Sequence, residues 1–426
     1  MTVELISVGT ELLLGNIVNT NANYLSKKCA ELGFSLYFQI TVGDNEGRLC
    51  EVLKSALLRS DIVILTGGLG PTQDDMTKEA VAKVLGRNLS VDEHSKERIS
   101  SYFTFRNKVN QNTASGGSGL AGVTNNNWKQ ALTIDGSTVV DNDNGTAPGY
   151  IVEVDGKKVI LLPGPPSEMI PMFEDRIFPY LRQLQNKVFV SKMVKICGVG
   201  ESRAETEILD LIEGQTNPTI APYAKSGEVH FRITASAESL QEANQLLSPV
   251  LEEFKNRFQD NIYATEEEDT LEGIVVKLLQ QHDMTLAVAE SCTGGLFTGR
   301  LVNVSGVSNV LKEGFITYSN EAKMKYLGIR EETLKEFGAV SEQTAREMAI
   351  GAANTADSDT AIAITGIAGP EGGTEDKPVG LVFISCNVKG NVTVKEYRMK
   401  GNRQIIREQS VIYALDLLRR CILELN

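Results

Sequence analysis

Two stretches of this chain, with no convincing internal repeat between them, alternate strand and helix signals: short apolar runs, several ending at glycine, interleaved with residues at helical spacing. In the first stretch Val3–Val8 ends at Gly9, and Thr20–Leu32 places Ala22, Leu25, Cys29 and Leu32 at helical spacing. Phe34–Val42 then reads as a strand, Arg48–Leu58 as a helix, and Asp61–Leu65 as a buried strand ending in Thr66-Gly67-Gly68. Strands that alternate with helices in this way predict a parallel sheet covered on both faces. Ligands of such sheets sit at the carboxyl ends of the strands, where Gly9-Thr10-Glu11 and Thr66–Thr72 fall. Val159–Leu162 is a further buried strand, followed by Pro163-Gly-Pro-Pro166 and a helix from Ser167. Between them Asn110–Asn127, with Ser115-Gly-Gly-Ser-Gly119, predicts a mobile loop or lid.

The pattern returns from Leu271. A helix to Gln281 leads to strand Thr285–Ala289, a glycine turn and helix, and a strand-like Gly314–Tyr318. Helices to about Asn354 and strand Thr360–Thr365 follow, then strands Leu381–Cys386 and Thr393–Met399 and a closing helix from Arg403. The region between the two stretches differs. Strand candidates Val188–Cys197 and Val229–Ala235, with helix candidates Arg203–Ile212 and Ser239–Phe258, predict a small α+β module, and Glu266–Asp269 a solvated linker or helix start. A chain of 426 residues exceeds one ordinary core, so three domains are expected: 1–172, 173–264 and 265–426.

Composition narrows the function classes. The 42 basic and 55 acidic side chains leave a net charge of −13, which repels a phosphate backbone, and no Lys/Arg cluster offsets it. Direct nucleic-acid binding is therefore not expected. The six cysteines are scattered with no C-x-x-C pair, which points to free buried thiols rather than a zinc site or a disulfide framework. The amino terminus runs straight into a strand without a signal-like segment, and no apolar run reaches the ~20 residues of a membrane span. No membrane association and a cytoplasmic setting are expected.

The chemistry-bearing residues concentrate in Ala289–Pro370. They read Ala-Glu-Ser291-Cys-Thr293-Gly-Gly, Ser305-Gly-Val-Ser308, Tyr318-Ser-Asn-Glu-Ala-Lys323 and Thr365-Gly-Ile-Ala-Gly-Pro370. The chain has only three histidines, His94, His230 and His282, none of them here. A serine that attacks in this stretch must therefore take lysine as its base, and a lysine serves when burial lowers its pKa toward neutrality. Lys323 is the candidate base, and Ser308 and Ser291 the candidate nucleophiles. Ser308 leads into the strand whose end carries Tyr318 and Lys323. Ser291, at a strand-to-helix turn, could attack or could hold a ligand phosphate with Thr293 and Gly294. Thr365 and Gly366 end another strand and could supply oxyanion or ribose contacts, and Arg403 at a helix start could anchor phosphate through its fork. In the first stretch, Gly67 and Gly68 let backbone approach a ligand closely, and Asp74 and Asp75 could hold a divalent cation that bridges phosphates. The plainer alternative is a tight turn with an Asp cap.

Long motifs carry a resemblance over nearly the whole chain. Gly9-Thr-Glu-Leu-Leu-Leu-Gly15, Asn19-Thr-Asn21, Gly67-Gly-Leu-Gly-Pro-Thr72 with Asp74-Asp75, Lys129-Gln-Ala131, Gly145-Thr-Ala-Pro-Gly149 and Leu162-Pro-Gly-Pro-Pro166 resemble the amino-terminal domain of the CinA family, which is similar to molybdopterin-binding proteins of the MogA/MoaB type. Ala289–Gly295, Ser305–Ser308, Gly314–Lys323, Gly338–Ser341, Thr365–Gly373, Lys377–Gly380 and Gly401–Arg403 resemble the family's carboxy-terminal domain, whose stand-alone form is the nicotinamide mononucleotide deamidase PncC. The resemblance implies an α/β chain with a three-layer MogA/MoaB-like domain, a KH-type α+β spacer or dimerisation module, and a CinA/PncC domain. It implies deamidation of nicotinamide mononucleotide without a metal, by a Ser308/Lys323 dyad assisted by Tyr318. It also implies hydrolysis of ADP-ribose with a divalent cation, Gly67, Gly68 and Thr72 touching phosphate, Asp74 and Asp75 serving the metal, and Lys129 neutralising the diphosphate. Trp128 departs from the basic residue usual before Lys129. A homodimer is expected. Two other classes stay open: a regulatory protein linked to competence or DNA damage, and a molybdopterin-binding enzyme.

Overall fold

Along the first strand, Val3 and Leu5 belong to one apolar core while Ile6 and Val8 belong to another. That period of two assigns alternate side chains to opposite faces of a sheet buried on both sides. The structure, a computed structural model, describes residues 1–112, 124–225 and 227–425. The chain divides into two units, Met1–Phe189 with Ser236–Leu240, and Val190–Ala235 with Gln241–Asn426.

The first unit contains β1 (Thr2–Val8), α1 (Thr20–Glu31), β2 (Ser35–Val42), α2 (Glu46–Arg59), β3 (Ile62–Thr66), α3 (Thr77–Leu85), α4 (Glu93–Asn112), β4 (Thr138–Val140), β5 (Gly149–Val154), β6 (Lys157–Leu162) and α5 (Pro166–Met172). The sheet order is β2-β1-β3-β6-β5-β4. α2 and α3 supply Leu49, Leu53, Ala80 and Val81 to one core, and α1 and α5 supply Ala22, Leu25, Met169 and Met172 to the other. The parallel sheet expected from the strand–helix alternation is mixed: β1, β2, β3 and β6 are parallel, but β5 runs antiparallel to β6, and β4 to β5. The cause is local. Asp155 and Gly156 take φ of 48° and 76°, the two positive-φ residues of a tight hairpin whose twist suits antiparallel strands. The loop expected at Asn110–Asn127 has helix up to Asn112 and a 3-10 turn from Asn125, while its Ser115–Gly119 core lies outside the described residues.

The middle region has a four-stranded sheet, β8-β9-β7-β10, formed by β7 (Val188–Cys197), β8 (Thr219–Lys225), β9 (Glu228–Ala237) and β10 (Ile262–Ala264), with α6 (Leu240–Phe258). Phe231, Phe254 and Phe258 fill its core. β8 and β10 escaped the sequence reading, and the expected helix Arg203–Ile212 is two short turns, Glu201–Glu207 and Leu209–Glu213.

The second unit ends in α7 (Leu271–Gln281), β11 (Leu286–Glu290), α8 (Leu296–Leu301), β12 (Leu311–Ile316), α9 (Asn320–Leu327), α10 (Glu342–Ala356), β13 (Thr360–Gly366), β14 (Leu381–Val388), β15 (Asn391–Arg398) and α11 (Arg403–Leu423). The sheet order is β12-β11-β13-β14-β15, parallel for the first three strands and antiparallel for the last two. Leu286 and Val288 of β11 face α7 and α11, while Ala287 and Ala289 face α10. Each fully buried Leu or Ile contributes roughly 1.5–3 kcal/mol, so these cores outweigh the exposed ion pairs, worth about 0–1 kcal/mol each. The six cysteines are free and buried. Among the described residues no helix is long and apolar enough to cross a membrane.

Candidate active sites

β11 lies between β12 and β13, so its carboxyl end opens where the strand order reverses, the usual position of a ligand crevice. Ser291 is the first residue beyond β11. Its N–H still donates to Ile364 O at 3.0 Å, and on the other side Thr317 N–H donates to Glu290 O at 2.9 Å. The chain then turns through Cys292–Gly295 into α8.

Lys323 reaches the same point from α9. Ser319 caps that helix by accepting from Ala322 N–H, and Gly328 ends it in the left-handed conformation. One turn in, Lys323 is 1% exposed, and its Nζ lies 3.1 Å from Ser291 Oγ, 2.8 Å from Thr317 O and 3.2 Å from Tyr318 O. Burial lowers its pKa from 10.5 to about 8. As an ammonium it donates to all three oxygens. As a neutral amine it keeps two N–H groups on the carbonyls, which can only accept, and turns its lone pair to the Ser291 hydroxyl. Ser291 is itself 9% exposed. Burial pushes the neighbouring Cys292 thiol up to about 11, so a thiolate does not compete at neutral pH.

The expected pairing of Ser308 with Lys323 is corrected by this geometry. Ser308 is exposed on a 3-10 turn before β12, whereas Lys323 follows its far end. Six strand residues separate those ends by about 20 Å. Tyr318 contributes its backbone carbonyl to Lys323. Its side chain is 62% exposed and its hydroxyl meets Arg403 Nη2 at 3.2 Å. Arg403 also donates to Gly369 O at 2.8 Å. Thr365 is buried, with its hydroxyl committed to Ala339 O at 2.7 Å, and a Cβ on Gly366 would lie 2.6 Å from Val382 Cγ2. Both residues are thus accounted for by packing at the end of β13.

Thr293 and Gly294 form the turn itself, Gly294 N–H donating to Ser291 O at 3.1 Å. The donors a phosphate would seek at the start of α8 are occupied: Glu290 accepts from the N–H groups of Gly295, Phe297 and Thr298. A residue the sequence reading missed holds the turn from outside. Arg407 donates to Cys292 O at 3.1 Å and to Thr293 O at 2.7 Å. Its signal was present, since Arg407 lies four residues after Arg403 and so shares its helix face.

In the first unit a cavity of about 570 Å³ opens beyond the ends of β1 and β3, bounded by Gly9, Glu11, Gly67, Gly68, Asp74 and Glu168. Gly67 has φ of +97°, and a Cβ there would lie 2.2 Å from Val8 O, so only glycine brings the backbone this close. The two aspartates differ. Asp75 turns back to accept from Thr72 N–H at 2.9 Å and from the Thr72 hydroxyl, while Asp74 is exposed at the cavity. Lys129 lies behind the loop, donating to Thr72 O at 2.9 Å and to Asp75 O. Lys78, buried and pushed down to about 8 by burial, donates to Lys129 O at 2.7 Å. Burial raises the Glu168 carboxyl above its usual range, against a hydrogen bond from Asn142. Among the described residues no three His, Cys, Asp or Glu side chains cluster to hold a metal. Both aspartates line the cavity, Asp75 with one carboxylate oxygen engaged by Thr72 and Asp74 the more exposed of the two.

These two sites define a mixed α/β chain with a molybdopterin-binding-type domain at one end and a serine–lysine crevice at the other. Residues 4–183 match the family described as "Probable molybdopterin binding domain", residues 191–264 the "Damage-inducible protein CinA KH domain", and residues 268–422 the "CinA C-terminal domain". A CinA-like protein of Dictyoglomus turgidum is 52% identical over 425 residues, covering 100% of both chains. One of Kosmotoga olearia is 50% identical over 425 residues, again covering 100% of both. The chain belongs to the CinA family. The crystal structure of the competence/damage inducible protein CihA from Agrobacterium tumefaciens is 44% identical, covering 35% of this chain and 91% of that one with a TM-score of 0.34.

Proposed function

We propose that the chain is a nucleotide hydrolase with two sites, one of which releases ammonia from nicotinamide mononucleotide. The observation that carries this reading is the buried contact of 3.1 Å between Lys323 Nζ and Ser291 Oγ, with the lysine held near neutrality by burial. Ser291 Oγ attacks the carboxamide carbon while Lys323 takes its proton, giving a tetrahedral oxyanion. Collapse breaks the C–N bond, and Lys323 returns the proton to the departing ammonia. Water, deprotonated by the same amine, then releases the nicotinate product and restores Ser291. Arg403, beside Tyr318, anchors the ligand's phosphate. No metal takes part in this half.

The cavity of the first unit suits a ligand carrying phosphate, and we assign it ADP-ribose, cleaved to AMP and ribose 5-phosphate. Gly67 and Gly68 bring the backbone to the diphosphate, while Thr72, Lys129 and Asp75 fix the loop's shape. A divalent cation held by Asp74 would neutralise charge on the phosphates.

Ammonia release from nicotinamide mononucleotide by the full chain tests the first half. Ser291→Ala and Lys323→Ala each lower kcat by about 10³-fold or more, with circular dichroism unchanged, while Ser308→Ala keeps activity. A fully active Ser291→Ala would sink the assignment. For the other half, tight molybdopterin binding without ADP-ribose turnover under any divalent metal would replace the proposed substrate.

A further inference from the structure

Glu290 directly precedes Ser291, is 1% exposed, and has no part in the chemistry above. A carboxylate this deep is costly unless its lone pairs are filled. Here four donors fill them: Gly295 N–H and Phe297 N–H, each at 3.0 Å, meet Oε2, and Thr298 N–H at 2.9 Å and Thr298 Oγ1 at 2.8 Å meet Oε1. The acceptor thus lies before the Ser291 turn and every donor after it, so one side chain closes the turn upon itself. Gly294 and Gly295, with φ of +60° and +92°, are otherwise a pliable stretch.

We propose that Glu290 is a positioning residue of the amide-hydrolysing site. Its carboxylate fixes the Ser291–Gly295 turn so that Ser291 Oγ stays within reach of Lys323. The inference rests on the amidase reading but has a readout independent of it. Glu290 spends its hydrogen bonds on the turn and on Thr298, whereas Lys323 spends its own on Ser291, Thr317 and Tyr318. The role is therefore one of geometry, and removing the carboxylate leaves the midpoint of the pH profile in place.

The experiment uses Glu290→Gln and Glu290→Ala in the full chain, with Thr298→Val as a milder variant that removes one of the four bonds. Hydrogen exchange at the Gly295, Phe297 and Thr298 amides is expected to quicken in all three. The two Glu290 variants are expected to lose about 100-fold in kcat, the cost of a reacting group displaced by about 1 Å, with KM within threefold and the pH midpoint unmoved. Formate in the cavity of Glu290→Ala restores part of kcat. Unchanged amide exchange overturns the proposal, as does quickened exchange with wild-type kcat or a shifted pH midpoint. If neither Glu290 variant folds, Thr298→Val carries the same two readouts. An inactive wild type would remove the amidase reading, while amide exchange still decides whether Glu290 holds the turn.

Discussion

Lys323 combines two demands that pull in opposite directions. Its amine must be neutral to accept a proton, and the burial that makes it easier to neutralise also opposes the folded state at acidic and neutral pH. The folded pKa of about 8 lies below the ordinary 10.5. Between those values the unfolded chain binds the extra proton, so stability gained from this group rises with pH from about 8 towards 10.5 and is absent below 8. Two outcomes follow at this scale. Ammonia release rises with pH along a limb centred near 8, read from kcat measured in overlapping buffers. The stability difference between Lys323→Met and wild type, from urea unfolding at pH 7 and pH 9.5, shifts toward the wild type at the higher pH. A difference that moves the other way would show that the lysine stays charged in the folded chain.

The elements that present these residues depend on close backbone packing as much as on apolar faces. α10 passes the end of α9 at Gly351, where a Cβ would lie 1.9 Å from Leu327 O. Because the obstruction is backbone rather than a flexible side chain, Gly351→Ala must displace α9 and with it Lys323. We expect a loss of about 1–3 kcal/mol in urea unfolding, together with a fall in kcat larger than any change in KM. The hairpin turns act in the same structural sense. Asp155-Gly156 and Lys389-Gly390 carry paired positive φ angles and commit the sheet edges to antiparallel strands. The first of these was legible as an Asp-Gly pair between two apolar runs, yet the stronger βαβ pattern upstream masked it.

At the scale of the whole molecule, the strand–helix alternation gave away both α/β regions, and several family motifs fall just beyond the carboxyl ends of their strands. The sequence could not show which serine meets Lys323. Ser308 and Ser291 both border strands of one sheet, but only strand direction decides the matter: β12 carries Ser308 at its start and delivers the chain to Lys323 at its end. Nor could spacing show that Asp75 accepts from the Thr72 N–H and hydroxyl while Asp74 is the more exposed of the two. The two proposed activities differ in metal dependence, so EDTA is expected to abolish ADP-ribose cleavage while leaving ammonia release intact, measured on one preparation. Loss of both would show that ammonia release also needs a cation. Among the described residues each unit also holds a deeply placed lysine pushed down to about 8, Lys78 in the first and Lys323 in the second. At pH 7 roughly one in ten such amines is uncharged, against about one in three thousand for an ordinary lysine. Lys78 spends its amine on a backbone carbonyl, whereas Lys323 faces a serine at the crevice. An aldehyde reagent that condenses only with neutral amines should therefore single out Lys323 from the many lysines on the surface, a selectivity that peptide mapping by mass spectrometry can confirm or refute.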